Sequence, residues 1–340
     1  MPIFAVQKFK TENIMSKVIG MGNALVDILT RLQDDTILSD LKYPKGSMQL
    51  VGVEEVANVL LATRDFPRNQ ASGGSAANTI HGLANLGVET GFFGKVGKDQ
   101  WGEFFRSDLE KRSIKPYLLE SENESGRAFA LISPDSERTF ATFLGAAVEL
   151  AHHEIPDDLF DGYSILHIEG YLVQNRELIR HALQLAKSKG LKVSLDLASF
   201  NVVEDNLDFL HEMVEKYVDI LFANEEEAKA FTGLEEEQAL NEISGYCDLT
   251  ILKLGKKGSV IKHHDQIVKI PPIQATSLDT TGAGDLYASG FLYGMIHGLS
   301  MELCGQIGSL LAGKVIEVIG PKMDDDTWEK IKVEIAALMN

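Results

Sequence analysis

Hydrophobic and polar positions follow two different rhythms along this chain, and the change between them divides it. From about residue 160 onward, short apolar runs predict strands over 164–168, 192–197, 218–223 and 249–254, with amphipathic helices over 176–189, 207–216 and 225–231 between them. The 176–189 stretch is representative: Ile179, Ala182, Leu183 and Ala186 recur on one helical face, and Gly190 closes the run. Strands over 259–262 and 266–270 read as a hairpin, and helices over 283–298, 301–318 and 325–338 finish the chain. Such alternation predicts a mainly parallel sheet covered by helices on both faces.

The N-terminal half is less regular. A strand over 18–25 and helices over 75–86 and 100–111 fit the same α/β body. The segments 28–72 and 115–148 carry instead short runs at 47–51, 127–132 and 139–144, broken by polar turns at 120–125 and 133–137. They predict a small β-rich sheet standing off the body, suited to close over a site and exclude water. The predicted organisation is a large α/β domain from 15–28, 73–114 and 149–340, a discontinuous lid from 29–72 and 115–148, and an extension over 1–14, disordered or from an upstream start, with no assigned role.

With 340 residues, 44% of them hydrophobic and 24% charged, the composition is that of an ordinary globular protein. The net charge of −18 opposes a nucleic-acid or anionic-membrane partner. It leaves a nucleotide site open, because backbone dipoles and a bound metal ion can hold phosphate locally. No apolar run approaches the ~18 residues of a membrane span. Residues 1–14 lack the core of a signal peptide. Cys247 and Cys304 lack metal-type spacing and read as free thiols of a reducing, cytoplasmic compartment. The pairs His152-His153 and His263-His264 fall in polar turns and lack the spacing of a zinc site.

The densest chemical signal is Asp279-Thr280-Thr281-Gly282-Ala283-Gly284-Asp285, which opens a helix. Small residues at a helix N-terminus expose backbone N–H groups that suit an anion. A carboxylate in the first turn repels phosphate, and it makes sense there as a base for a hydroxyl that attacks phosphorus. Upstream, Gly73-Gly74-Ser75-Ala76-Ala77-Asn78 opens another helix, with glycines for close backbone approach and Asn78 as donor and acceptor. Asn23 and Asp27 lie just beyond the first strand, where α/β sheets place ligands. Gly20-Met21-Gly22 lacks the third glycine of a dinucleotide fingerprint. Asn224-Glu225-Glu226-Glu227 follows a strand and reads either as a plain helix cap or as a pair, Asn224 and Glu227, ordering the water shell of Mg²⁺. Leu254-Gly255-Lys256-Lys257-Gly258 is a hairpin turn with room for a nucleotide against its backbone.

Taken in order, these motifs resemble those of the ribokinase-like, or PfkB, family of sugar and nucleoside kinases, over essentially residues 16–322. The resemblance implies a three-layer α/β/α sandwich with a mostly parallel central sheet and a small β-rich lid. It implies an ATP-dependent phosphotransferase with Asp285 as general base and Gly282, Ala283 and Gly284 as the anion hole. Asn224 and Glu227 would organise Mg²⁺ through water, and Asp27, Asn23, Gly73, Gly74 and Asn78 would hold the acceptor's hydroxyls. Gly255 and Gly258 would flank the nucleotide. Lys253 stands where ribokinases commonly have Thr, and could meet a phosphate instead. Many relatives bind a monovalent cation such as K⁺ beside the anion hole through backbone carbonyls, for which Asp279 and Thr281 would be the local contributors.

For the acceptor, Ser136-Glu137-Arg138-Thr139 and Ile168-Glu169-Gly170-Tyr171 resemble adenosine-kinase-like members. Tyr171 would stack on a base or be a core residue; Arg138 would reach the phosphates or be a solvated hairpin charge. Met48, where eukaryotic adenosine kinases often have glutamine, departs from that pattern. The preferred reading is phosphorylation of a ribosyl nucleoside at its 5′-hydroxyl, adenosine first; the alternative is a free-sugar kinase of ribokinase or fructokinase type. The protein would be a monomer, or a homodimer joined through the lid edge near 47–51.

Overall fold

The computed structural model describes residues 16–135 and 137–339; the 1–14 extension and Ser136 lie outside them. Its strands are β1 (Val18–Met21), β2 (Leu25–Arg31), β3 (Met48–Leu50), β4 (Arg68–Gly73), β5 (Thr90–Gly97), β6 (Ile114–Ser121), β7 (Gly126–Ile132) and β8 (Arg138–Phe143). They continue with β9 (Ile165–Glu169), β10 (Lys192–Asp196), β11 (Ile220–Asn224), β12 (Leu249–Lys253), β13 (Ser259–His263) and β14 (Gln266–Ile270). A nine-stranded sheet runs β14-β13-β12-β11-β10-β9-β1-β5-β6, and a five-stranded sheet runs β3-β8-β7-β2-β4. Within the large sheet every pairing from β12 to β6 is parallel, and the β12–β13 and β13–β14 pairings are antiparallel.

Alternation along each central strand makes the three layers. On β11, Leu221 and Ala223 join the helices Arg176–Ser188, Leu207–Tyr217 and Glu225–Thr232 on one face. Ile220 and Phe222 point to the other, against the helices Ser75–Asn85 and Ala283–Ile296. Gly20 has a packing role: a Cβ there would lie 2.4 Å from Ile80 Cγ1, so its absence lets the helix Ser75–Asn85 settle on β1.

The structure departs from the sequence expectation at the seams. The strand expected over 18–25 breaks at Gly22, and Leu25 already belongs to β2 of the small sheet, so Asp27 sits in a small-sheet strand. Ile114–Ser121, expected mostly in the small sheet, pairs with β5 at the edge of the large one. It follows the helix Gln100–Lys111 as the second strand of a β-α-β crossover. The segment 28–72 also contains the helices Thr36–Leu41 and Val53–Ala62, and Phe200–Asp205 and Glu236–Ile243 are further helices that periodicity did not single out. In the small sheet, period-two alternation turns Arg138 and Phe140 of β8 to one face while Thr139 and Ala141 are buried on the other.

The helices Ala283–Ile296 and Met301–Val315 cross on glycines: a Cβ on Gly290 would stand 2.6 Å from the Ile307 carbonyl oxygen, and one on Gly294 2.8 Å from Cys304 Sγ. Gly290→Val should therefore force the pair apart and destabilise the fold by about 1–3 kcal/mol. The expected readout is a lower urea midpoint at unchanged slope.

Candidate active site

The C-terminal ends of the parallel strands and the face of the small sheet enclose a cavity of about 620 Å³. Asp27, Gly74, Asn78, Tyr171, Asn224, Glu227, Lys253, Gly255, Thr281, Gly284 and Asp285 all line it. Residues from six separated segments thus meet in one place, as open α/β sheets place ligands beyond their strand ends.

Asp285 sits in the first turn of the helix Ala283–Ile296, whose N-cap Gly282 has the left-handed φ of 76°. Its carboxylate is fixed from the neighbouring helix: Ser75 Oγ donates to Oδ1 at 2.7 Å and Asn78 Nδ2 to Oδ2 at 3.0 Å. The two helices are further tied by Thr79 Oγ1, which donates to the Asp285 carbonyl at 3.1 Å, and by Ser289 Oγ, which donates to the Thr79 carbonyl at 2.8 Å. Burial pushes Asp285 up to about 6; the Ser75 and Asn78 hydrogen bonds and Lys253 oppose that rise, and Asp196 adds to it. The Ala283 amide is taken by the Thr280 carbonyl at 3.2 Å, whereas Gly284, the next in the turn, lines the cavity. Lys253 lies directly above: a Cβ on Gly284 would stand 3.0 Å from its Nζ.

Lys253 Nζ donates to Asp196 Oδ2 at 2.6 Å, a pairing absent from the sequence reading. Asp196 also lines the cavity and sits at the end of β10, and its strand-end position was the available signal. Asn224 and Glu227 form a reciprocal capping box, with Asn224 N and Nδ2 donating to the carboxylate at 2.8 and 2.6 Å and Glu227 N donating back to Asn224 Oδ1 at 2.8 Å. The cap and the cavity-lining role coexist. Burial raises Glu227 to about 7. The donor set here is all oxygen, which suits Mg²⁺. Among the described residues no three acidic, histidine or cysteine side chains converge to ligate an ion directly, so the residues fit an ion held largely through water and phosphate.

Asp27 accepts no hydrogen bond from the described residues, and Gly73 on the neighbouring strand leaves room for its carboxylate: a Cβ on Gly73 would lie 2.2 Å from Asp27 Oδ1. Burial raises Asp27 to about 7, Lys322 and Arg138 pull it down and Asp285 pushes it up. Asn78 Oδ1 is buried without a donor.

The other expected residues lie behind the cavity wall. Asn23 is held by Glu169, whose Oε1 accepts from Asn23 N and Nδ2 at 2.9 Å each and whose Oε2 accepts from Ala76 N at 2.9 Å. Glu169 thereby fastens two motifs together; Gly22 and Gly74 make room, since a Cβ on Gly22 would meet its carboxylate at 2.4 Å and one on Gly74 the Asn23 carbonyl at 2.3 Å. Gly258 shapes its turn, where a Cβ would stand 2.0 Å from the Ile270 carbonyl. Arg138 is not a solvated charge: its guanidinium pairs with Asp279 and donates to Thr281 Oγ1. Asp279 also accepts from Thr281 N at 2.9 Å and Gly320 N at 2.6 Å. The Asp279 carboxylate and the Thr281 hydroxyl are thus occupied by Arg138 and by amides.

A sequence profile described as pfkB family carbohydrate kinase matches residues 49–328. The chain belongs to the pfkB family. Among solved structures, the chain resembles the adenosine kinase from Sinorhizobium meliloti at 34% identity and a TM-score of 0.85, over 94% of this chain and 99% of that one. Among curated proteins it is 30% identical over 297 residues to the 5-dehydro-2-deoxygluconokinase of Clostridium perfringens, covering 82% of this chain and 87% of that protein. It is 32% identical over 267 residues to a nucleoside kinase of Methanocaldococcus jannaschii, covering 76% of this chain and 83% of that protein. This pfkB-family member is a phosphotransferase with an alcohol acceptor, of the sugar and nucleoside kinases, with a ribokinase-like fold. ATP use, usually with Mg²⁺, belongs to that family. Among the described residues no helix is long and apolar enough to cross a membrane.

The raised carboxylates have a consequence for stability. Asp27 titrates near 3.8 when unfolded and near 7 when folded, so between those values the folded state holds the extra proton and stability falls as pH rises. Asp27→Asn should unfold at higher urea than wild type at pH 8, with the difference vanishing on approach to pH 4.

Proposed function

We propose that this kinase transfers the γ-phosphoryl group of ATP to the 5′-hydroxyl of a ribosyl nucleoside, adenosine being the first candidate, with Asp285 as the general base. The observation that carries the reading is the placement of Asp285. Both its oxygens are held by Ser75 and Asn78, at the start of a helix, in one cavity with Lys253, with Asp196 at the end of β10 and with Glu227 just after β11. A base near 6 is mostly ionised at neutral pH yet still basic enough to take a proton.

In the transfer, the acceptor oxygen forms its bond to the γ-phosphorus as the bond from phosphorus to the bridging oxygen of ADP breaks, and the hydroxyl proton passes to Asp285. Mg²⁺, when bound, supplies charge neutralisation to the phosphates. The first-turn backbone at Gly282 and Gly284 and the Lys253 ammonium stabilise the negative charge that develops on the transferring group. Asp27 and the orphaned Asn78 Oδ1 take ribosyl hydroxyls as acceptors. The five-stranded sheet acts as the lid, delivering Asp27 and Phe140 to the cavity and locking to the phosphate turn through Arg138 and Asp279.

The nucleoside reading is supported by two rings in the cavity wall, Tyr171 from the body and Phe140 from the small sheet. A purine gains from stacking on such rings, and a free sugar has less to offer them. The free-sugar reading retains support from the 5-dehydro-2-deoxygluconokinase relative.

Asp285→Asn should fold and bind both substrates while losing turnover by about 10²–10⁴-fold. Turnover within tenfold of wild type would refute the base assignment. In a panel of adenosine, other nucleosides, ribose and fructose with Mg·ATP, adenosine should give the highest kcat/KM, with Tyr171→Ala raising its KM by about tenfold or more. Equal or better turnover of a free pentose or hexose would reject the nucleoside acceptor in favour of the sugar.

A further inference from the structure

Lys322 is a buried charge that none of the steps above uses. It follows Gly320-Pro321 in the loop between the helices Met301–Val315 and Asp325–Leu338. That loop is wedged at the centre of the machinery. Gly320 N donates to Asp279 Oδ2 at 2.6 Å, and a Cβ on Gly282 would stand only 2.7 Å from Pro321 Cβ. Gly320 also abuts the small sheet, since a Cβ there would lie 3.1 Å from Leu29 Cδ2, two residues along β2 from Asp27. From this position the Lys322 Nζ is buried and has no hydrogen-bond partner among the described residues.

The charged groups that act on it come from every side. Asp108 on the helix Gln100–Lys111, Asp27 on β2 and Asp285 are the acids; Arg112 is the like charge, and His81 on the helix Ser75–Asn85 is a further titratable neighbour. Asp108 is already bonded by Ser72 N at 3.2 Å and Ser72 Oγ at 2.5 Å. Asp27 accepts no hydrogen bond among the described residues and has Arg138 as its other cation, while Asp285 accepts two from neutral donors and has Lys253 beside it. Two buried carboxylates that sense one another tend to share a proton unless a cation stands near both. An unbonded ammonium is costly to bury and is compensated only by such carboxylates in their charged form.

We propose that Lys322 is a positioning residue for phosphoryl transfer: its buried ammonium, carried by the loop that packs against β2 and Gly282, is the counter-charge that favours the ionised form of Asp27 beside Asp285, so that Asp27 can accept the acceptor's hydroxyls while Asp285 takes the proton. This rests on the kinase reading above and on the roles given there to Asp27 and Asp285. Burial depresses Lys322 to about 8, which still leaves it mainly charged at neutral pH, and it is the largest influence opposing burial at Asp27.

The test uses the full chain with Lys322→Met, Lys322→Gln and Lys322→Arg, assayed with Mg·ATP and whichever of adenosine, ribose or fructose the wild type phosphorylates best. The two neutral variants should move the acid limb of kcat/KM for the acceptor upward by about one pH unit, a tenfold loss on that limb. Their acceptor KM should rise by about tenfold at pH 6.5, with the ATP KM within about twofold and the defect shrinking toward pH 9. Lys322→Arg should restore the wild-type profile. A uniform loss at all pH values, or a profile that overlays wild type, would overturn the proposal. Ionisation is read separately, without turnover, from the carboxylate ¹³C shifts of Asp-labelled protein. Asp signals assigned through Asp27→Asn and Asp285→Asn should titrate higher in Lys322→Gln, and unchanged titrations overturn the proposal. If those titrations do move while the wild type phosphorylates no acceptor, the kinase roles fail and the charge coupling stands.

Discussion

Negative charge gathered in a water-poor cleft is the constraint on which the rest of this structure depends. Glu169 ends β9, Asp196 ends β10, Glu227 follows β11, Asp285 opens a helix beside them and Asp27 arrives from the small sheet. Burial pushes Asp27, Glu169 and Glu227 up to about 7 and Asp285 to about 6. Chemistry on a hydroxyl benefits from carboxylates poised near neutrality, and the same desolvation opposes folding. The cations that offset it come from three directions: Lys253 from β12, Arg138 from β8 and Lys322 from the C-terminal loop.

Glycine allows those charges to approach. At Gly22, Gly73 and Gly74 a single Cβ would collide with Glu169, Asp27 or the Asn23 carbonyl, each at 2.4 Å or closer. Glu169 bonds both the turn out of β1 and the start of the helix Ser75–Asn85, so the crossing into the small sheet and the helix that holds Asp285 are fixed by one carboxylate. Arg138 makes the corresponding link from the far side of the small sheet to the loop before Asp285. The cleft is fastened by polar contacts at both ends.

Much of this was legible in the residues. The helix starts at Ser75, Glu225 and Ala283 announce themselves through small residues or caps, and alternation of strands and helices after residue 160 predicts the parallel sheet. What escaped reading depends on partners remote in sequence. Nothing local to Asp196 says that Lys253 will meet it, 57 positions away. Nothing local to Arg138 or Asp279 says that each will be the other's partner. Lys322 lies past the last recognisable motif and carries no local signal. The seam at Gly22 was missed because β1 and β2 are separated by only three residues, so one apolar run covers two strands in different sheets.

The central claim is that Asp285, held by Ser75 and Asn78 and raised by burial, takes the acceptor's proton. The most direct measurement is the pH dependence of the single-turnover rate of phosphoryl transfer from Mg·ATP to adenosine, or to the sugar that replaces it, with saturating substrates. The account predicts an acid limb with a midpoint near 6, the value to which burial raises Asp285, and tenfold loss per pH unit below it. A transfer rate that stays constant down to pH 4.5 would contradict it.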